Sequence, residues 1–302
     1  MYRKWKRGGH PIPYNNPLQI ITLFAVGSDL VYTNGIGYSQ DIYNVQDFGA
    51  TGNGQNDDSQ AFLKAWNSAC GTNKGTPIIR VPKGQTYLLN PLTFNGPCKS
   101  DSIRIQIDGN IVAPQTLAGW KAGCQYGRWL HFVQVNNLVI SGTGTFDGRG
   151  SMWWRKATYP GCKAPTGLRF YRCDNLQLKG FTSVNSPNKH IVFQSCRNVF
   201  VDHLHIRAPS TSPNTDGIVI SGSSQIGISE SFIGTGDDCI SIKSGSSYIN
   251  ITHVTCGPGH GISIGSLGIG GGNHTVEEVH VRNCSFRGTT NGARIKTWKD
   301  YY

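Results

Sequence analysis

The motifs Asn214-Thr215-Asp216-Gly217, Gly236-Asp237-Asp238-Cys239 and Gly259-His260-Gly261 recur on a fixed beat. Twenty-two residues separate Asp216 from Asp238, and twenty-two separate Asp238 from His260. Each motif runs directly into a short alternating segment: Gly217-Ile218-Val219-Ile220, Cys239-Ile240-Ser241-Ile242 and Ile262-Ser263-Ile264-Gly265. If each repeat is one turn of a solenoid, a constant offset from the start of successive strands stacks the motifs about 4.8 Å apart. Three aspartates and a histidine from distant sequence then share one small patch. An ordinary sandwich has no reason to keep them in step.

The repeat extends beyond these motifs. Strand-like runs occur at His131 to Val135, Leu168 to Cys173, His190 to Cys196 and Ala293 to Trp298. A second series lies between them, from Leu138-Val139-Ile140 through Leu176-Gln177-Leu178, Val199-Phe200-Val201, Ile226-Gly227-Ile228 and Ile249-Asn250-Ile251 to Val279-His280-Val281. Two or more strands per coil of roughly 22 to 30 residues predict an all-β chain folded as a parallel β-helix. With 39 glycines, the turns are expected to be tight, several at positive φ. One helix is expected before the coils: Asp57-Asp58-Ser59 offers N-cap oxygens, and Ala61, Phe62, Ala65, Trp66 and Ala69 follow along one face. A solenoid needs its open apolar end covered, so this is read as a capping helix and not as a catalytic use of Asp57 or Asp58.

The first residues differ in character. Arg3, Lys4, Lys6 and Arg7 precede an apolar stretch from Leu18 to Val26 that Gly27, Ser28 and Asp29 interrupt. It is too short to span a bilayer but has the order of a secretory leader. Residues 1–40 are therefore expected to be an imperfect signal peptide and 41–302 one domain. Nine cysteines without a C-x-x-C pair point to disulfides and not to zinc, with Cys239 and Cys256 one coil apart and Cys70 and Cys98 flanking the helix. The acceptors Asn250-Ile-Thr, Asn273-His-Thr and Asn283-Cys-Ser suit a secreted protein. The net charge is +11, and setting aside Arg3, Lys4, Lys6, Arg7 and Asp29 leaves about +8, enough to steer a polyanion. No nucleic-acid motif accompanies the charge, and export argues against a nucleic-acid partner. An anionic polysaccharide explains both charge and compartment.

The ordered set Asn214-Thr215-Asp216-Gly217, Gly236-Asp237-Asp238-Cys239, Gly259-His260-Gly261 and Arg294-Ile295-Lys296 resembles the signature of the polygalacturonases, the pectin-degrading glycoside hydrolases of family 28. The similarity also takes in Asp47-Phe48-Gly49-Ala50, the Gly-rich run from Gly142 to Gly148 and Ser186-Pro187, and plant exopolygalacturonase-like members resemble the chain most. The resemblance implies a right-handed parallel β-helix. It further implies an inverting hydrolase acting as a monomer on pectin in the cell wall, with no cofactor, no metal and no membrane anchor.

Hydrolysing a glycosidic bond takes one protonated carboxyl to supply the leaving oxygen and one ionised carboxylate to activate water. Crowded aspartates suit this because like charges resist ionising together. By resemblance, Asp237 is the general acid, and Asp216 and Asp238 hold the attacking water. His260 either tunes Asp237 or contacts the sugar. Arg294 and Lys296 alternate, so both project from one face of a strand, and they fit recognition of a galacturonate carboxylate, with a solvated basic face as the alternative. Asn214 either binds substrate or caps a turn. Asp147 is read as a turn former, Trp153-Trp154 as either a sugar platform or packing, and His190 and His203 as lying outside the site. Proteins of this kind continue for several coils beyond Arg-Ile-Lys and carry a further cleft tyrosine, to which neither Tyr301 nor Tyr302 corresponds. The expectation is an exposed last strand, and the second functional reading is a truncated, weakly active or inactive wall-binding relative. A pectate lyase is a third, disfavoured because these aspartates match hydrolytic motifs.

Overall fold

The chain winds through three parallel sheets in turn. One coil runs through strands Ile191–Gln194, Arg197–Asp202 and His205–Arg207 and then returns to Ile218–Ser221, which pairs with the strand it started from. The computed structural model describes residues 41–73, 75–120, 126–155 and 161–298. Within these, two sheets have nine strands and the third has eight, and every pairing is between successive coils. The expected leader and Lys299 to Tyr302 lie outside the described residues.

The first series read from the sequence is the third sheet, and the second series is the first sheet. The remaining sheet was not anticipated. Its strands, such as Thr182–Val184 and His205–Arg207, are too short for alternation to register as a pattern.

Strand alternation sends every second residue of the third sheet inward. Phe94, Phe132, Phe170 and Phe193 are paired in register and stack face to face, with ring centroids 4.8, 5.0 and 5.7 Å apart. Each such contact adds about 0.5–1.5 kcal/mol beyond area burial. Below them the same column continues as Ile220, Ile242 and Ile264.

Glycines take positive φ at many turns, as expected, but the corners leading into the first sheet also place other residues in left-handed backbone. Asn137, Asn175 and Asn198 hold φ of 56°, 56° and 58°, a conformation that costs roughly 1–2 kcal/mol per residue. Their amides compensate by linking coil to coil. Asn175 Nδ2 donates to Asn137 Oδ1 at 2.8 Å, and Asn198 Nδ2 donates to Asn175 Oδ1 at 2.7 Å. In the next coils Gln225, Tyr248 and Glu278 take the same backbone at the corresponding place.

The expected helix spans Ser59–Gly71 and buries Ala61, Phe62, Ala65, Trp66 and Ala69 against early strands of the first and third sheets. Trp66 meets Phe132 edgewise and Phe94 at a tilt, and donates Nε1–H to the Asn95 carbonyl at 3.2 Å. Its N-cap differs from the expectation. Asp58 makes no cap hydrogen bond; its carboxylate instead accepts from Thr51 N–H and Oγ–H and from Gly52 N–H, three donors that outbid one helix amide. Asp57 takes over part of the task by accepting from Ser59 N–H at 3.0 Å. Disulfides join Cys70 to Cys98 and Cys239 to Cys256, and Cys173, Cys196 and Cys284 are free.

Candidate active site

The in-step motifs meet where the chain enters the third sheet. Ile218, Ile240, Ile262 and Ala293 are paired in register, so Asp216, Asp238 and His260, each two residues before its strand, form one column. The backbone ties the column together: Gly217 N–H donates to the Asp238 carbonyl at 2.9 Å and Cys239 N–H to the Gly261 carbonyl at 2.8 Å. Thr215 pins one motif to the next by accepting from Gly236 N–H at 3.1 Å. Gly236 is required because a Cβ there would lie 2.0 Å from the Ser212 carbonyl oxygen.

The three aspartates occupy different surroundings. Asp238 is 1% exposed. Its Oδ1 accepts from Ser263 Oγ at 2.8 Å and from Arg294 Nη2 at 2.6 Å, and its Oδ2 accepts from Lys296 Nζ at 2.8 Å. Burial alone would raise this carboxyl, but Lys296, Ser263 and Arg294 outweigh it and hold the group below the usual carboxylate range. Asp216 is also buried, and Lys189 Nζ lies 4.0 Å from its carboxylate. Burial, reinforced by Asp237 and Asp238 against the pull of Lys189, pushes Asp216 up to about 6. Asp237 is the more open of the three, with a quarter of its side chain exposed. Its Oδ1 lies 3.2 Å from His260 Nδ1 and accepts from Asp238 N–H at 2.8 Å. Among the described residues, its Oδ2 receives no hydrogen bond, which leaves that oxygen to face a ligand.

Arg294 and Lys296 thus reach across the intervening strand Ile262–Leu267, and both rest on Asp238. Asn214 lies exposed in the turn before Asp216 at φ 59°. Ligand atoms of Asp237, Asp238 and His260 lie within 4.8 Å of one another, a spacing a metal ion could share. The two cations already on Asp238 oppose a third, so the donor set fits a metal poorly.

Three participants went unread in the sequence: Lys189, Ser263 and Lys243. Lys189 stands two residues before Ile191, the offset that Asp216 has from Ile218, and that offset was the available signal. Ser263 is the outward residue of Ile262-Ser263-Ile264. Lys243 ends the run begun by Ile240 and donates to the Gly265 carbonyl at 2.9 Å; burial and Lys296 lower its pKa. The residues set aside stay aside. His190 is buried with Nδ1 2.9 Å from Ser183 Oγ. His203 pairs with Asp202 at 2.8 Å, an acidic neighbour the sequence reading overlooked. Asp147 accepts from Arg149 N–H at 2.9 Å as a turn former, and Trp153 packs edgewise on Trp120.

The sequence profile of the glycosyl hydrolases family 28 matches residues 70–301. The chain belongs to this family. It is 49% identical over 262 residues to a probable polygalacturonase of Arabidopsis thaliana, covering 86% of this chain and 56% of that protein. This family 28 chain therefore spans little more than half the length of that relative. Among solved structures, the endo-xylogalacturonan hydrolase from Aspergillus tubingensis superposes with a TM-score of 0.76 at 27% identity, covering 86% of this chain and 69% of the other. A polygalacturonase from Erwinia carotovora gives 0.66 at 28% identity, covering 80% and 70%. The parallel β-helix is thus the shared architecture.

Proposed function

We propose that the chain is a polygalacturonase that hydrolyses the α-1,4-galacturonosyl linkages of pectin, with inversion, in the cell wall. The observation that carries this reading is the column of Asp216, Asp238 and His260 with Asp237 beside it, next to a paired arginine and lysine. Asp237 is the general acid: its free Oδ2 delivers the proton to the leaving oxygen while His260 and the Asp238 amide orient the carboxyl through Oδ1. Asp238, kept anionic by its cations, and Asp216, once ionised, hold the water that attacks the opposite face of the sugar. Arg294 and Lys296 recognise the substrate carboxylate, and Asn214 borders the cleft.

The disulfides Cys70–Cys98 and Cys239–Cys256 suit an oxidising compartment, and Asn250, Asn273 and Asn283 are all exposed and open to glycosylation. These support a secreted protein. The deciding experiment incubates the protein with polygalacturonate. Release of reducing ends with initial formation of the inverted anomer, and without an ultraviolet-absorbing unsaturated product, is expected; an unsaturated product would replace hydrolysis with β-elimination. The same digest, read for monomer against oligomers at early times, distinguishes terminal from internal attack.

A further inference from the structure

On the outer face of the first sheet, strand pairing sets Gln177, Phe200, Gly227, Asn250 and His280 in one row, one residue per coil. Phe200 is 55% exposed. Its ring leans along this row, because a Cβ added at Gly227 would lie 3.2 Å from Phe200 Cδ1 and 3.5 Å from its Cε1. Gly227 sits inside strand Ser224–Ser229 and is not at positive φ, so the backbone itself does not call for glycine there. A glycine in such a place marks close approach to the backbone. The ring approaches from one side, and towards Asn250 the floor carries no side chain.

Asn250 opens the triplet Asn250-Ile251-Thr252, an acceptor for N-glycosylation. Ile251 is buried and Asn250 exposed, so Asn250 and Thr252 both leave the strand on its outer face. One flank of Asn250 is taken by His280, whose Nε2 lies 3.3 Å from Glu278 Oε2. The other flank is the bare Gly227. A sugar on Asn250 Nδ2 therefore has room towards Phe200, two coils and about 10 Å away, a span that an asparagine side chain and one pyranose ring bridge together. Tyr248, two residues before Asn250 on the same strand, is 64% exposed and holds left-handed backbone at φ 55°, a costly conformation for a bulky residue. Two exposed rings thus border one acceptor, and covering them with the C–H face of a sugar removes apolar surface from water. Asn283, by contrast, already donates Nδ2–H to His253 Nε2 at 3.3 Å.

We propose that Asn250 carries an N-linked glycan whose first N-acetylglucosamine packs on Phe200 over Gly227, with Tyr248 at its flank. The inference rests on the secreted reading above. In the modification the Asn250 amide nitrogen forms a bond to C1 of the sugar while the bond from C1 to the diphosphate of a polyprenyl diphosphate oligosaccharide donor breaks. The amide gives up one proton and the lipid diphosphate departs, with nothing oxidised or reduced. The glycan lies on the first sheet, so the carboxylates of the third stay open to substrate.

The test uses the full chain made in plant cells that keep oligomannose glycans and are fed isotope-labelled N-acetylglucosamine. Peptide mapping reads which acceptors are filled, and an endoglycosidase then leaves one sugar on each. The NMR signals lost in Asn250→Gln identify the sugar at Asn250. Its ring C–H signals are expected upfield of those from the other filled acceptors, shifted by the Phe200 ring current, and Phe200→Ser returns them to ordinary positions. Phe200→Leu, which keeps apolar bulk and has no ring current, serves if Phe200→Ser loosens the sheet. An empty Asn250 beside a filled Asn273 or Asn283, or a filled Asn250 whose signals ignore both substitutions, overturns the inference and leaves secretion standing. Three empty acceptors on a chain retained inside the cells overturn both. Hydrolysis of polygalacturonate by the same material tests the catalytic reading separately.

Discussion

Two stretches of one sheet face carry paired cations, and they treat them in opposite ways. Around Asp238, Arg294 and Lys296 are neutralised by a carboxylate buried between them. Around His131, Arg128 and Arg169 flank a neutral ring, with no acidic residue among the described residues lining the cavity there. The first arrangement uses its positive charge to keep Asp238 ionised; the second leaves its charge without a counter-ion among the described residues. Equal cation counts therefore say little about binding until the counter-ions are located.

The sharpest way to test this contrast is at the acid itself. Asp237→Asn is expected to lower turnover at least about 100-fold while the fold persists. Near-normal turnover in the folded variant would remove the chemistry from this end of the face.

Asp216 comes next, because its buried carboxylate has Lys189 Nζ at 4.0 Å and lacks the close cation hydrogen bonds that Asp238 receives. Its folded pKa of about 6 lies above the 3.8 of an ordinary aspartate, so the folded state binds more protons between these values. Stability from this group is therefore present below about 3.8 and lost as pH rises through about 6. Asp216→Asn should raise stability at neutral pH by up to about 3 kcal/mol, read as a higher urea midpoint, and the gain should vanish at acidic pH. Asp238 has the opposite sign: its stabilisation is present above the ordinary aspartate pKa and lost as pH falls through its depressed value. In the active protein, kcat/KM should rise with pH up to about 6 as Asp216 ionises; a profile flat through that range would exclude Asp216 as a water-holding base.

A smaller effect is expected at Lys296. Lys296→Ala should raise KM for polygalacturonate about tenfold and for its methyl ester much less, because the lost ammonium recognises charge. Equal losses would mean that Lys296 serves Asp238 alone. The smallest concerns His131. Arg128→Gln removes one of the two cations that depress the ring, so its proton-NMR titration should move from about 4 toward the ordinary histidine range. No movement would mean that burial alone holds it neutral, weakening the contrast between the two ends.

What could be read from the chain alone followed from periodicity. Asp216, Asp238 and His260 were legible because their coils have equal length, so linear spacing equals stacking. Arg128, His131 and Arg169 were not. The coil from His131 to Arg169 takes 38 residues (169 − 131), with the helical turn Ser151–Trp154 following strand Thr145–Asp147, and the beat is lost even though the two residues are direct partners. The Asp238 ion pairs were hidden for another reason: Arg294 and Lys296 lie across an intervening strand, and alternation tells which face a residue points from but not what it rests on. Asp58 holds the N-cap position as read, but its carboxylate turns to Thr51 and Gly52, donors that belong to a turn whose path no local pattern reveals.

The asparagines at the corners bear on this last difficulty. Asn137 and Asn175 are 38 residues apart and Asn175 and Asn198 only 23, yet the two amide links are nearly the same length. Whatever the chain does between two corners, it is returned to the same latch. Loop length is thereby uncoupled from strand position, and a corner asparagine lets an insertion be tried or discarded on one flank while the cleft floor on another stays put. Divergence in such a scaffold has a natural place to accumulate, and new specificities can be edited in as cassettes without disturbing the residues that do the chemistry.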